Sequence, residues 1–236
     1  METYSIVICP MEEEIAELKK QIPESKPLKI GNIQGFEFKA GEDKYFAFIG
    51  RIGKENIGFD IGYLSGLINI KKIYNIGVAG SLVKDIVPLN VVVATKTCYY
   101  DVDVTHFEPY VFGQMAGEKD LYFYTDKDDL AALDNLNTTL TIIKGTIISG
   151  DSFAGKDNMS EELLAKFDNP LAVDMESGAC GQAARRLNVP FTIIRGISDY
   201  VLSEDNKSTY EEFIYLSARR AATVFLHIIN KDFVEA

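Results

Sequence analysis

The chain has little with which to do metal, redox or nucleic-acid chemistry. Its 236 residues include two histidines and three cysteines. His106 and His227 are far apart, and no H-E-x-x-H or Cys/His cluster accompanies them, so no metal site is expected. Cys9, Cys98 and Cys180 are odd in number and form no C-x-x-C pair. That excludes a disulfide framework and predicts buried, reduced thiols in a reducing compartment. Positive charge is also short, with 24 Lys plus Arg against 35 Asp plus Glu and a net charge of −11. This balance repels phosphate backbones and anionic membranes, so neither nucleic acid nor membrane is an expected partner, while an uncharged nucleoside stays open. No apolar run approaches the ~20 residues of a membrane span. The opening METYSIVICPMEEEI turns acidic too soon to be expected as a signal peptide, and a cytoplasmic protein is expected. No linker, low-complexity tract or fixed-period repeat divides the chain, so residues 1–236 are read as a single domain. No G-x-S-x-G elbow is present, which predicts no covalent nucleophile.

What remains is ordinary soluble composition, 47% hydrophobic and 25% charged, in a chain long enough to bury a core. Short β-rich runs alternate with helical patterns. Tyr4 to Cys9 reads as a buried strand and Met11 to Gln21 as an amphipathic helix. Gln34 to Ala40 and Lys44 to Gly50 read as a hairpin. Lys54 to Asn69 has helical spacing, and Lys72 to Gly77 is a strand ending in the glycine turn GVAGS. Asn90 to Tyr100, Leu140 to Ser149, Leu171 to Met175 and Phe191 to Ser198 read as strands, and Thr209 to Ile229 as a closing helix. This alternation predicts an α/β fold with a mostly parallel or mixed sheet. In such sheets the site lies outside the carboxyl ends of the strands. The polar segments there are CPMEEE, GRIGK, GVAGS, DVDVTHF, GDSFAG, DMES and ISDY.

The strongest signal is residues 174 to 199, where Asp174 and Glu176 precede a small-residue helix and Asp199 follows the next strand. Separated carboxylates without a metal-ligand set suggest acid–base chemistry on a neutral small molecule. Each has a bland alternative: Glu176 as a helix cap or dipole partner, Asp199 as a turn residue or N-cap. Arg195 and Ser198 beside them make the cluster harder to dismiss. Glu12, Glu13 and Glu14 open the first helix and complement its dipole. Successive helical residues point about 100° apart, so all three cannot face one ligand. GVAGS lacks both phosphate-loop spacings and any adjacent cation, and reads better as a close-approach turn than as a phosphate cradle. Phe153 in GDSFAG either packs into the core or stacks on a planar ring.

In chain order, MEEE, GVAG, DVDVT, SGDSF, AVDMES and RGISD resemble the motifs of bacterial 5'-methylthioadenosine/S-adenosylhomocysteine nucleosidases, in the nucleoside phosphorylase superfamily. The resemblance covers essentially the whole chain. It implies a three-layer α/β/α sandwich with a mixed, partly barrel-like sheet, a homodimer, no cofactor and an adenine nucleoside as substrate, cleaved by hydrolysis between adenine N9 and ribose C1'. By position, Asp199 is the general acid toward adenine N7 and Glu14 activates water. Glu176 holds the ribose hydroxyls with Met175. Phe153 stacks on adenine and the backbone of Ala154 reads its edge. Ser198 holds Asp199, and Arg195 supports the carboxylates. Ile52, Val104 and Tyr210 line the 5' end, with Phe107 reaching in from the partner subunit. Val78, Ala79 and Gly80 of the glycine turn, and Met11, complete the substrate-binding set. Asp174 falls outside the catalytic set.

The chain departs from the family pattern at Val78, usually Ser, at Ala154, usually a larger aliphatic, and at Asp174, usually Glu. One extra residue follows Phe107, so Pro109 and Tyr110 both remain candidates to face the 5' group. The alternatives weighed are a 6-amino-6-deoxyfutalosine nucleosidase, a phosphate-dependent phosphorylase and a non-catalytic nucleoside-binding protein. Asn75, where the phosphorylases carry an arginine, favours hydrolysis.

Overall fold

The computed structural model describes residues 1–136, 138–230 and 233. A ten-stranded mixed sheet forms its middle layer. The strands are β1 (Thr3–Cys9), β2 (Lys26–Ile30), β3 (Ile33–Ala40), β4 (Asp43–Ile49), β5 (Asn69–Ser81), β6 (Val91–Tyr99), β7 (Phe123–Tyr124), β8 (Ile142–Ser149), β9 (Pro170–Asp174) and β10 (Phe191–Tyr200). Six α-helices accompany them: α1 (Glu12–Lys20), α2 (Lys54–Ser65), α3 (Lys127–Ala132), α4 (Glu161–Leu164), α5 (Ser177–Leu187) and α6 (Asn206–Ile229).

The layering follows from period-2 alternation in strands buried on both faces. In β1, Tyr4, Ile6 and Ile8 enter one core while Val7 and Cys9 enter the other, and in β4, Phe46 and Phe48 part from Tyr45 and Ala47 in the same way. The first core is capped by α2 and α5 through Ile57, Ile61, Leu64, Cys180 and Ala184. The second is capped by α1 and α6 through Ile15, Leu18, Ala222 and Phe225. This is the expected three-layer sandwich. The strand order is β10-β6-β8-β9-β5-β1-β4-β3-β2, and β10 also pairs with β5. Five strands therefore close on themselves, which accounts for the partly barrel-like character. Among the described residues, no helix is long and apolar enough to cross a membrane. All three cysteines are buried and free.

The expected strands and helices form, with shifted ends. The helix from Lys54 stops at Ser65 because Gly66 caps it, and β5 has begun by Asn69. The larger correction is GVAGS. It is not a turn: β5 runs straight through it to Ser81, paired with β10 along its length. Four short elements have weak sequence signals. Strand β2 is a half-exposed edge containing Pro27, a residue tolerated at edges. Strand β7 has two residues. Helices α3 and α4 are capped by the side chains of Asp126 and Ser160, a local signal that was present in the sequence.

Candidate active site

One cavity opens at the carboxyl ends of β1, β5, β9 and β10, with about 620 Å³ of space between its walls, open mouth included. Four buried carboxylates line it, and three of them, Glu14, Asp199 and Glu176, reach it by different routes.

Glu14 comes from the first turn of α1. Its Oε2 accepts from the Met11 N–H at 2.9 Å, the backward reach of an N3 glutamate in a capping box. Its Oε1 accepts from the Val78 N–H on β5, also at 2.9 Å. Glu12 is exposed and Glu13 half-buried, so one acid of the three turns inward. Burial pushes the Glu14 pKa up to about 7 against the pull of Arg195 and the two N–H donors.

Asp199 lies near the end of β10. The β5–β10 register breaks between Ile197 and Asp199, so Asp199 pairs with Gly80 and a bulge at Ser198 re-aims the carboxyl. The Ser198 hydroxyl donates to Oδ1 at 2.7 Å. Burial raises the Asp199 pKa to about 6, and Ser198 partly opposes this.

Glu176 takes the N-cap position of α5, but its side chain makes no capping hydrogen bond. Asp174 does that work: its Oδ1 accepts from the N–H groups of Glu176 at 3.3 Å and Ser177 at 3.1 Å. Glu176 is thereby released toward the cavity. Its Oε1 accepts from Gly53 N–H at 3.0 Å and its Oε2 from Arg195 Nη2 at 3.3 Å. Burial raises its pKa, Arg195 opposes that, and Asp174 and Glu14 push it further up.

Arg195 organises the floor and is fully buried. Its Nε donates to Asp174 at 2.6 Å, and its Nη2 donates to Asn75 as well as Glu176. Burial works against its charge, but the carboxylates of Asp174, Glu176 and Glu14 hold its pKa above the usual value. Its Nη1 is buried without a hydrogen-bond partner.

The glycines of β5 serve close approach rather than turning. A Cβ on Gly77 would sit 2.3 Å from both Arg195 Nη1 and Glu14 Oε1. A Cβ on Gly80 would sit 3.1 Å from Asp199 Oδ2. Gly77→Ala is therefore expected to keep the fold by circular dichroism while lowering kcat/KM at least ~10²-fold, the scale of an ångström-sized misplacement of reacting groups. Near-normal kinetics would show that Glu14 and Arg195 need not touch the strand.

Met11, Ile52, Val78, Ala79 and Gly80 also line the cavity, as do Phe153, Ala154, Met175, Ser198 and Tyr210. Phe153 is 52% exposed, not packed into the core, and meets Tyr210 edge-to-face at 5.5 Å. Arg195 acts from behind the wall. Val104 and Phe107 are not part of the wall formed by one chain, and Phe107 is 68% exposed. Neither Pro109 nor Tyr110 lines it; the Tyr110 hydroxyl accepts from Gly117 N–H. Sequence reasoning gave no role to Pro10, Ser152, Val173 and Val201, which also form the wall, and left out Asp174, which lines it too; all but Val201 lie inside the polar segments and motifs quoted above. It also missed the N–H groups of Gly53 and Val78, for which a sequence carries no side-chain signal. Among the described residues, no group of three or more His, Cys, Asp or Glu side chains is arranged to hold a metal ion.

Residues 5–230 match the family described as the Phosphorylase superfamily. The chain is 33% identical to a 5'-methylthioadenosine/S-adenosylhomocysteine nucleosidase of Buchnera aphidicola, over 95% of each chain. Among solved structures it resembles the nucleosidase of that name from S. pneumoniae, determined with the transition-state inhibitor MT-ImmA, at TM-score 0.87 and 31% identity, covering 97% of this chain and 98% of that one. It is equally similar in fold to the Neisseria meningitidis enzyme in complex with methylthio-immucillin-A, at TM-score 0.87 and 28% identity over 98% and 100% of the two chains.

Proposed function

The chain belongs to the phosphorylase superfamily and, within it, to the 5'-methylthioadenosine/S-adenosylhomocysteine nucleosidases, and from that premise we propose how its residues perform the reaction. The protein is an N-glycosyl hydrolase that cleaves methylthioadenosine and S-adenosylhomocysteine to adenine and the 5'-substituted ribose. The observation that carries the assignment of roles is a single cavity walled by Glu14, Glu176 and Asp199, each buried and each held above its ordinary pKa.

Adenine lies against Phe153, with its edge toward the Ala154 backbone. Protonated Asp199 gives its proton to N7 as the C1'–N9 bonding pair moves into the purine, which turns a poor leaving anion into neutral adenine. Positive charge grows on the ribose, where Glu176 and Glu14 stabilise it and Glu176 accepts from the sugar hydroxyls. Ionised Glu14 takes a proton from water as the water oxygen bonds to C1', as in glycoside hydrolysis. The unpartnered Arg195 Nη1, close to where Glu14 and Gly77 meet, supports a polar water site there.

Water rather than phosphate as nucleophile is supported by a wall with no Lys or Arg, while the buried Arg195 behind it gives its Nε and Nη2 to two carboxylates and Asn75. The test is adenine release from methylthioadenosine, S-adenosylhomocysteine and 6-amino-6-deoxyfutalosine, with and without phosphate. Phosphate-independent release from the first two is expected, with a free sugar product. Release that needs phosphate and yields a sugar 1-phosphate would exclude hydrolysis. Glu14→Gln in the same assay should fall ~10²–10⁴-fold.

The whole chain is read as one catalytic domain acting in methionine salvage in the cytoplasm, as a homodimer. Support for the dimer is exposed apolar surface: Ile52 at the mouth, Phe107, and Phe59, 70% exposed and stacked on Tyr63. In this reading Phe107 and Val104, which do not line the cavity of their own chain, serve the 5' end of the partner's site.

A further inference from the structure

Lys54 stands at the first position of α2, where the helix dipole disfavours a cation. Two carboxylates from other loops hold it there. Its Nζ lies 2.6 Å from Asp101 Oδ2 and 3.5 Å from Asp151 Oδ2, and it sits 5.2 Å over the Tyr99 ring. The contacts interlock through the backbone: Asp151 Oδ1 accepts from Lys54 N–H at 2.9 Å, and Asp101 Oδ2 accepts from Asp151 N–H at 2.9 Å. One ammonium thus ties together the loops that follow β4, β6 and β8. The Lys54 side chain is 20% exposed, while Asp101 and Asp151 face solvent on their outer sides at 29% and 45%, so the cluster acts through its interlocked geometry rather than through the strength of one ion pair.

The segment so anchored is under conformational constraint. Arg51 has φ 58° and Gly53 φ 102°, and a non-glycine residue such as Arg51 adopts that region only when its surroundings impose it. Gly53, the residue before Lys54, gives its N–H to Glu176 Oε1, and the next N–H goes to Asp151. Consecutive N–H groups therefore serve two carboxylates, and a shift of the clamp swings both.

We propose that Lys54 is a positioning residue for sugar recognition: through Asp101 and Asp151 it aims the Gly53 N–H at Glu176 and so fixes the carboxylate that meets the ribose hydroxyls. The proposal rests on the role of Glu176 given above. It predicts a loss confined to the sugar end of the site, away from Asp199 and Phe153.

The test compares two probes by calorimetry: adenine, and a methylthioadenosine analogue with a carbon–carbon glycosidic bond, which cannot be hydrolysed. In Lys54→Met the analogue should bind about tenfold more weakly, the effect of one hydrogen bond to a charged group, with adenine within about twofold. Lys54→Arg, which keeps the charge, should recover most of the affinity. Asp101→Asn should move in the same direction as Lys54→Met and keeps the test available if that variant fails to fold. Unchanged affinities in both variants overturn the proposal, and so do parallel losses for both probes, which would make the cluster a general scaffold. A wild-type protein that binds adenine but not the analogue removes the assigned role of Glu176. Wild type that binds both probes yet releases no adenine from methylthioadenosine itself overturns only the hydrolase reading.

Discussion

Asp199→Asn is expected to fold and bind nucleoside yet release adenine ~10³-fold more slowly, within the range of a positioned general acid. Asparagine keeps the shape of the side chain and its contact with Ser198 but has no proton to give to N7. The wild-type kcat/KM profile should be bell-shaped and peak between about 6 and about 7. The rate falls on the acid side as Glu14 takes up a proton, and on the alkaline side as Asp199 loses one. In the variant the alkaline limb disappears, leaving a residual rate that rises with pH and levels off. Stability gives an independent check. A carboxyl raised from 3.8 to about 6 on folding contributes stability that is present below the unfolded pKa and lost as pH rises through the folded one. The loss amounts to roughly 3 kcal/mol. Asparagine carries no charge to desolvate, so the variant should melt above wild type at pH 8 and not at pH 4. Equal turnover, or an unchanged alkaline limb, would remove Asp199 from the acid role.

Arg195→Met is expected to cost about 3–5 kcal/mol of stability, the usual penalty for removing one partner of a buried ionic group. Methionine fills much of the space but leaves Asp174, Glu176 and Glu14 buried without their shared cation. The pKa values of Glu176 and Glu14, which Arg195 now holds down, then rise further, so the deficit in Tm should grow with pH: larger at pH 8, where folding must desolvate the charges, than at pH 5. Turnover should fall at least ~10²-fold. Arg195→Lys should not restore it, because one ammonium cannot serve Asp174, Asn75 and Glu176 as the planar fork does. A deficit independent of pH would mean that volume, not charge, is what Arg195 supplies.

Much of this was legible in the chain itself. Period-2 runs such as Tyr4 to Cys9 determined that a two-faced sheet lies between helix layers, because each face must bury its own row of side chains. The position of the acids at strand ends determined where the cavity lies. That one glutamate of three turns inward followed from helical geometry, and which one followed from the resemblance. The division of work among the carboxylates came from the resemblance; tertiary structure alone decided how each of them is held. Glu176 carried a cap reading beside its sugar role and Asp174 stood outside the catalytic set; in the fold the Asp174 side chain accepts from the first N–H groups of α5 and grips Arg195, and Glu176 faces the cavity. The glycines of GVAGS looked like a turn and are instead gaps in a strand through which Glu14 and Arg195 approach. The reason is separation along the chain. Val78 N–H meets Glu14 across 64 positions and Arg195 meets Asn75 across 120. Local propensity and spacing report on neighbours a few residues apart, whereas the charge state of a buried acid depends on partners that only the closed sheet brings beside it.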